Sequence, residues 1–307
     1  MKKVLITGGS GLFAINYAIR FQNKYKVYLI QNKKKISLVE NNITLINTDI
    51  NNQKNLSILI NKIKPHILIH AASNTNLEDC ELNKKKSFKS NYLLTKTIVN
   101  VCKKYRVYLV FLSTDQLFKG DKSYYGEKSR VNPQNYYSKL KVLSEYFIKN
   151  NLKKFLIIRT NFFGWGTKYR NSFSDNIIFN LKKKKYIHIL NDVYFNPISL
   201  NDLCRIITRL IFLNKKGIFN ITSSQKFTKY ILANMIAMKF GLKTKYIKPI
   251  LLTNLKTNVV RPKDMSLKNN KIKKYYKIPS ISHQLNELHN EYENNNFLKF
   301  KKIKING

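Results

Sequence analysis

Cysteine is scarce in this chain of 307 residues: Cys80, Cys102 and Cys204 stand far apart and form no CxxC pair. That spacing speaks against a disulfide framework and a zinc knuckle, and it fits a reducing compartment. The five histidines, His66, His70, His188, His283 and His289, also lack metal-ligand spacing. His66 and His70 bracket one apolar run on the same strand face but have no third ligand nearby, so no metal site is expected. No apolar run approaches the ~20 residues a membrane-spanning helix needs, because Asn, Lys or Arg breaks each candidate. The chain begins with Met1 and passes at once into the apolar residues 4–6, which leaves no room for a secretion signal. A soluble, cytoplasmic protein with no membrane partner is expected.

Acidic residues are scarce as well. The chain has 16 Asp and Glu against 57 Lys and Arg, a formal net charge of +41. Such an excess invites a nucleic-acid partner. Here, however, it is nearly all lysine, it is scattered over the whole length, and it accompanies abundant Asn, Ile, Tyr and Phe, the signature of an AT-rich coding sequence. No specific nucleic-acid recognition is expected. Nonspecific attraction to polyanions at low salt is, and the charge would also suit an anionic substrate.

What the sequence does have is regular alternation. Residues 4–6, 27–30, 43–46, 67–69, 107–112 and 155–158 are short apolar runs that read as buried strands. Between them, residues 12–21, 56–63 and 92–101 carry apolar side chains three and four apart, the helical period. Strand and helix in strict alternation predict an α/β fold, a Rossmann-type doubly wound parallel sheet over residues 1–160. Beyond residue 160 the pattern loosens. Helices are expected at 173–181, 200–213 and 230–240 and strands at 186–190 and 218–221, forming a smaller C-terminal substrate lobe over 161–293, some of whose segments return to the sheet. The Lys- and Asn-rich tail 294–307 is expected to fray.

Three constellations carry chemistry. Directly after the first strand comes TGGSGLFA, with Gly8, Gly9 and Gly11 opening a helix at Leu12 and Phe13. Glycine lets backbone approach a pyrophosphate, the helix start offers free N–H groups, and Ala14 permits close helix–strand packing, so a dinucleotide is expected here. The second strand ends in residues 31–35, QNKKK, with no carboxylate to repel a ribose 2′-phosphate and with Lys33 among the ammonium groups to meet one. NADP is therefore favoured over NAD. Next, Tyr137 and Lys141 lie four apart on one helix face. A neighbouring ammonium would lower the phenol pKa and make Tyr137 a usable general acid, whereas Tyr136 is out of register. Finally Ser113, Thr114 and Asp115 follow the strand at 107–112, where a hydroxyl can hold a substrate oxygen.

Taken together, the pieces TGGSGLFA at Thr7, HAASNTNLEDCE at His70, FLSTDQLFKG at Phe111, NYYSKLK at Asn135, IIRTNFFG at Ile157 and VRPKDMSL at Val260 resemble the extended short-chain dehydrogenase/reductases, and within them the dTDP-4-dehydrorhamnose reductase branch. The resemblance spans nearly the whole chain. It implies Thr114, Tyr137 and Lys141 as the catalytic set, with Lys141 also on the nicotinamide ribose. It places Gly8, Gly11, Leu12 and Phe13 at the pyrophosphate, Asp49 and Ile50 beside adenine, and Ala71, Ala72 and Ser73 along the cofactor's middle. Asn91 would support the site. Thr114, Asn161 and Arg261 would face the substrate, a nucleotide sugar whose diphosphate Arg261 would hold. The implied activity is NADPH-dependent reduction of a keto group in polysaccharide synthesis. An epimerase or dehydratase of the same fold, a non-catalytic NADP-binding regulatory subunit, and a homodimer all stay open. Relatives of this branch usually carry D-Q-x-G-x-P-T where this chain reads DVYFNPI from Asp192, which leaves the sugar open too.

Overall fold

The structure, a computed structural model, describes residues 1–32 and 34–305. Seven strands make one all-parallel sheet. They are β1 Lys2–Thr7, β2 Tyr25–Gln31, β3 Ile43–Asn47, β4 Ile67–His70, β5 Tyr108–Leu112, β6 Phe155–Arg159 and β7 Gly217–Asn220, in the spatial order β7-β6-β5-β4-β1-β2-β3. The strands read as continuous apolar runs because both faces are covered. Val4 and Ile6 of β1 point into one core with Tyr17 of helix α1 (Leu12–Phe21), while Leu5 points into the other with Leu56 of α2 (Gln53–Ile63) and Ile98 of α3 (Leu94–Tyr105). Helix α4 (Tyr136–Asn151) buries Ile148 in that second core. This is the doubly wound fold the alternation predicts.

The chain order reverses at β1, which lies between β2 and β4. Crossovers leave to opposite faces from such a point, so a crevice opens above the carboxyl ends of the strands.

Beyond residue 160 the segments divide. Strand β7 pairs with β6 as the last strand of the central sheet, with Phe219 opposite Ile158. Helix α5 (Leu200–Phe212) buries Leu203, Ile206, Ile207 and Leu210 in the same core as α1. A second cluster forms off the sheet, where the predicted strand, Ile187–Leu190, pairs in parallel with Ile247–Ile250 and the helices Phe173–Lys182 and Lys229–Lys239 pack beside it. The DVYFNPI segment is built into this region: Asn196 donates to the carbonyls of Ser223 and Leu267 and accepts from Leu267 N–H. Among the described residues, no helix is long and apolar enough to cross a membrane.

Two expectations need correction. The third predicted helix does not begin at residue 92; a π-helical turn, Phe88–Leu93, precedes α3, and such a turn bulges one residue out of the i→i+4 ladder. Nor does the tail fray. Phe297, Phe300 and Ile303 are buried in the off-sheet core, and Lys304–Ile305 pairs antiparallel with Ile36–Ser37. Apolar side chains three apart put one stripe on the core, and each contributes about 1.5–3 kcal/mol on burial, enough to outweigh the polarity of its neighbours.

Candidate active site

Strand β1 delivers its C-terminal end, Thr7, to the glycine turn. Gly8 has φ +71°, and a Cβ there would lie 2.9 Å from the backbone of Ala72, so the turn lies directly against the loop after β4. Thr7 Oγ1 ties the two together, accepting from Ala72 N–H at 3.2 Å. Gly11 is the extended residue before α1 and provides no side-chain cap, so the first-turn N–H groups of α1 stay available to an anion. Gly11, Leu12 and Phe13 line one wall of a cleft of about 290 Å³, and Ala71 and Ser73 line the next. These residues fit a dinucleotide pyrophosphate: a close backbone approach, an uncapped helix start and no carboxylate on this wall.

The same cleft brings in Thr114, Tyr137, Lys141 and Asn161. Asn135 caps α4 by accepting from Ser138 N–H, which sets the helix to begin at Tyr136 and turns the next residue, Tyr137, into the cleft. Tyr136 instead lies outside the cleft with Lys84 over its ring. Tyr137 and Lys141 are both buried. Burial raises the Tyr137 phenol well above its ordinary pKa, the nearby Thr114 hydroxyl partly offsets this, and the charge of Asp115 adds to it. The expected lowering of that pKa by Lys141 is not what the geometry gives. The lysine Nζ donates to the Leu112 carbonyl at 2.8 Å and sits 4.6 Å from the Phe111 ring centroid, 5.9 Å from that of Tyr137. Burial pushes Lys141 itself down to about 8, with the Glu145 carboxylate one turn along opposing the fall.

Behind this pair lies a buried ion pair that the motifs did not signal. Glu145 accepts from Arg159 Nη2 at 2.6 Å and from Ser113 Oγ at 2.6 Å. It thereby ties the α4 face that bears Lys141 to the end of β5. The sequence marks Asp115 only by its place after a strand, yet it is buried on the cleft, accepts from Asn161 Nδ2 at 2.9 Å and from Thr114 Oγ1 at 3.2 Å, and is pushed up to about 6 by burial. Thr75, Gln116, Thr160, Phe162 and Arg170 also line the cleft. Position after a strand end was the signal that could have found Asp115 and Thr160; Arg170 lies on a connection with no such mark.

Other expected residues lie elsewhere. Gly8 and Ala72 form the floor beneath the turn without lining the cleft. Ile50 is buried in the core around α2, and Asp49 accepts from Asn51 and, at 3.3 Å, from Asn32 just past β2. A carboxylate therefore stands close to the 31–35 segment although none is within it. Gln31 turns inward, its Oε1 accepting from Ile36 N–H at 2.6 Å. Lys33 lies outside the described residues. Asn91, on the π-helical turn, clamps the loop after β4, donating to the Asn74 carbonyl at 2.8 Å and accepting from Asn74 N–H at 2.7 Å. Arg261 does not line the cleft; its guanidinium is paired with Glu78 of the short helix Leu77–Leu82.

Comparison with known proteins gives a consistent picture. The family described as "RmlD substrate binding domain" matches residues 1–294. Spore coat polysaccharide biosynthesis protein SpsK of Bacillus subtilis is 23% identical over 246 residues, 80% of this chain and 81% of that protein. Methionine adenosyltransferase 2 subunit beta of Rattus norvegicus is 22% identical over 278 residues, 88% of this chain and 81% of that protein. In structure, dTDP-4-dehydrorhamnose reductase from Bacillus anthracis, solved in complex with NADP, superposes with a TM-score of 0.81 at 23% identity, covering 95% of this chain and 100% of that one. That likeness establishes the fold.

Proposed function

Because this chain belongs to the RmlD substrate binding domain family, we propose that it is an NADPH-dependent oxidoreductase that reduces a keto group on a nucleotide-activated sugar. The observation that carries the reading is one cleft holding Thr114, Tyr137 and Lys141 beside the uncapped start of α1. A relative of the same fold solved with NADP supports the choice of cofactor.

NADPH, when bound against residues 11–13 and Ala71 and Ser73, supplies the hydride. The chain's own residues do the rest. Thr114 turns its hydroxyl from Asp115 to the keto oxygen and holds that oxygen while charge develops there. Tyr137 delivers the proton: a phenol whose pKa is raised by burial is protonated at neutral pH and gives up its proton readily only to an alkoxide, a far stronger base. Lys141, anchored on Leu112, fixes the end of β5 from which Thr114 projects and would meet the ribose of a bound cofactor.

Among the described residues lining the cleft, Asp115 is the only carboxylate, and it accepts hydrogen bonds from Thr114 and Asn161. Dehydration and epimerisation through a carbanion each need a base at carbon in addition to an acid at oxygen. The cleft's one carboxylate is engaged by Thr114 and Asn161 and is not free to act at carbon, which favours simple reduction. The likeness to a methionine adenosyltransferase subunit keeps a regulatory role as the alternative. Mixing the protein with NADPH and a dTDP-4-keto-6-deoxy sugar tests the reading. Stoichiometric loss of reduced nicotinamide is expected, faster than with NADH, and sugar conversion with no net cofactor consumption would overturn it.

A further inference from the structure

Eight of the 57 basic residues are arginine. Arg20, Arg159, Arg205 and Arg261 form ion pairs with carboxylates. Arg170, like Arg106, Arg130 and Arg209, has no acidic partner among the described residues; it is exposed, and its guanidinium reaches Thr75 Oγ1 at 3.4 Å. It nonetheless lines the cleft.

The segment that carries it is built firmly. Thr167 and Arg170 exchange backbone hydrogen bonds, Arg170 N–H to Thr167 O at 3.3 Å and Thr167 N–H to Arg170 O at 3.1 Å, which closes a tight turn. Gly166 N–H donates to the buried Asp175 carboxylate at 2.6 Å, and Ser172 and Asp175 form a capping box at the start of the following helix. A Cβ on Gly166 would lie 2.3 Å from the Arg170 carbonyl, so the turn closes only around glycine. On the other side, Tyr169 Oη donates to the carbonyl of Ser10 in the glycine turn at 2.9 Å. The loop is thus pinned to the floor it overhangs, and Thr75 stands on the opposite wall. The arginine spans from one wall to the other.

An unpaired guanidinium, carried on a pinned turn over a cleft whose other cation, Lys141, is tied to the Leu112 carbonyl, is an arrangement that suits a diphosphate, whose oxygens accept its parallel N–H donors in pairs. We propose that Arg170 is a diphosphate-binding residue that closes the cleft by exchanging Thr75 for phosphate oxygens. This rests on the dinucleotide reading above and extends it to a residue on a loop. The diphosphate is that of the cofactor or that of a nucleotide sugar, and both present the same oxyanions.

Binding measured by calorimetry on the full chain separates the sources. Arg170→Gln is expected to weaken either NADPH, or thymidine diphosphate added to the NADPH-saturated protein, by about tenfold, as loss of a charge-assisted pair requires. Arg170→Lys should fall between, since it keeps the charge and loses the fork. If NADPH weakens, NADH must weaken by the same factor, because the diphosphate is common to both. If both dissociation constants for Arg170→Gln stay within about twofold of the parent, the inference is overturned while the functional reading stands. A parent protein that binds neither ligand removes both.

Discussion

Lys141 donates a hydrogen bond from its Nζ to the Leu112 carbonyl, 2.8 Å away at the end of β5, and not to the Tyr137 hydroxyl. The lysine is therefore a tether between α4 and the strand end that bears Ser113 and Thr114, and Tyr137 reaches the cleft as a protonated phenol.

Replacing Tyr137 with Phe removes the proton donor and leaves the ring to pack. Turnover is expected to fall by roughly 10²–10⁴ while NADPH affinity changes little. Steady-state rates together with a cofactor titration check it; loss of both in parallel would point to a structural role instead.

The alkaline limb of kcat/KM should report Lys141, since burial sets its pKa near 8 while that of Tyr137 is pushed upward. Glu145 raises the lysine pKa, so neutralising it with Glu145→Gln should move the limb to lower pH. A profile unchanged in position would show that the carboxylate does not act on the lysine.

Asp115 predicts a stability effect of definite sign. Its folded pKa of about 6 lies above the ordinary 3.8 because burial disfavours the charge. The stability it contributes is therefore fully present below about pH 4 and is lost as pH rises through about 6. Asp115→Asn removes the charge, and its amide can turn to serve both Thr114 and Asn161. The variant should melt higher than the parent at about pH 7.5, by at most roughly 3 kcal/mol, and at the same temperature near pH 4. Thermal denaturation at the two pH values decides.

The tail should matter to stability. Phe300 is buried, with the Arg20 guanidinium 5.1 Å from its ring centroid, and Phe297 stacks near Tyr292 and Trp165. Phe300→Ala is expected to cost about 3–5 kcal/mol in chemical denaturation. An effect below ~1 kcal/mol would mean the tail is loosely held.

The central sheet was legible because its inner strands are buried on both faces and so read as unbroken apolar runs, as in LII before Arg159 or LVFL before Ser113. That the glycine turn, Thr114, Tyr137 and Lys141 meet in one cleft was legible because each follows a strand end or shares a helix face, relations fixed by local geometry. What was not legible depends on distant partners. Arg261 was assigned to phosphate by residue type, but its pairing with Glu78 spans 183 residues. The tail was judged by its lysines and asparagines, while the three apolar residues that hold it down meet side chains from three other segments. The direction of the Tyr137 shift went wrong because the spacing of Tyr137 and Lys141 says nothing about depth, and burial outweighs the lysine.

The pairing of Lys304–Ile305 with Ile36–Ser37 has a consequence during synthesis. Ile305 follows Ile36 by 269 residues, so at typical elongation rates the earlier strand waits on the order of ten to fifty seconds for its partner. Throughout that time its N–H and C=O groups form an open edge that another nascent chain can join. Lys34 and Lys35, immediately before it, place positive charge beside the edge and discourage such joining. A ribosome that stalls short of residue 304 releases a molecule in which this edge never closes, and tryptic cleavage after Lys34 or Lys35 would reveal it.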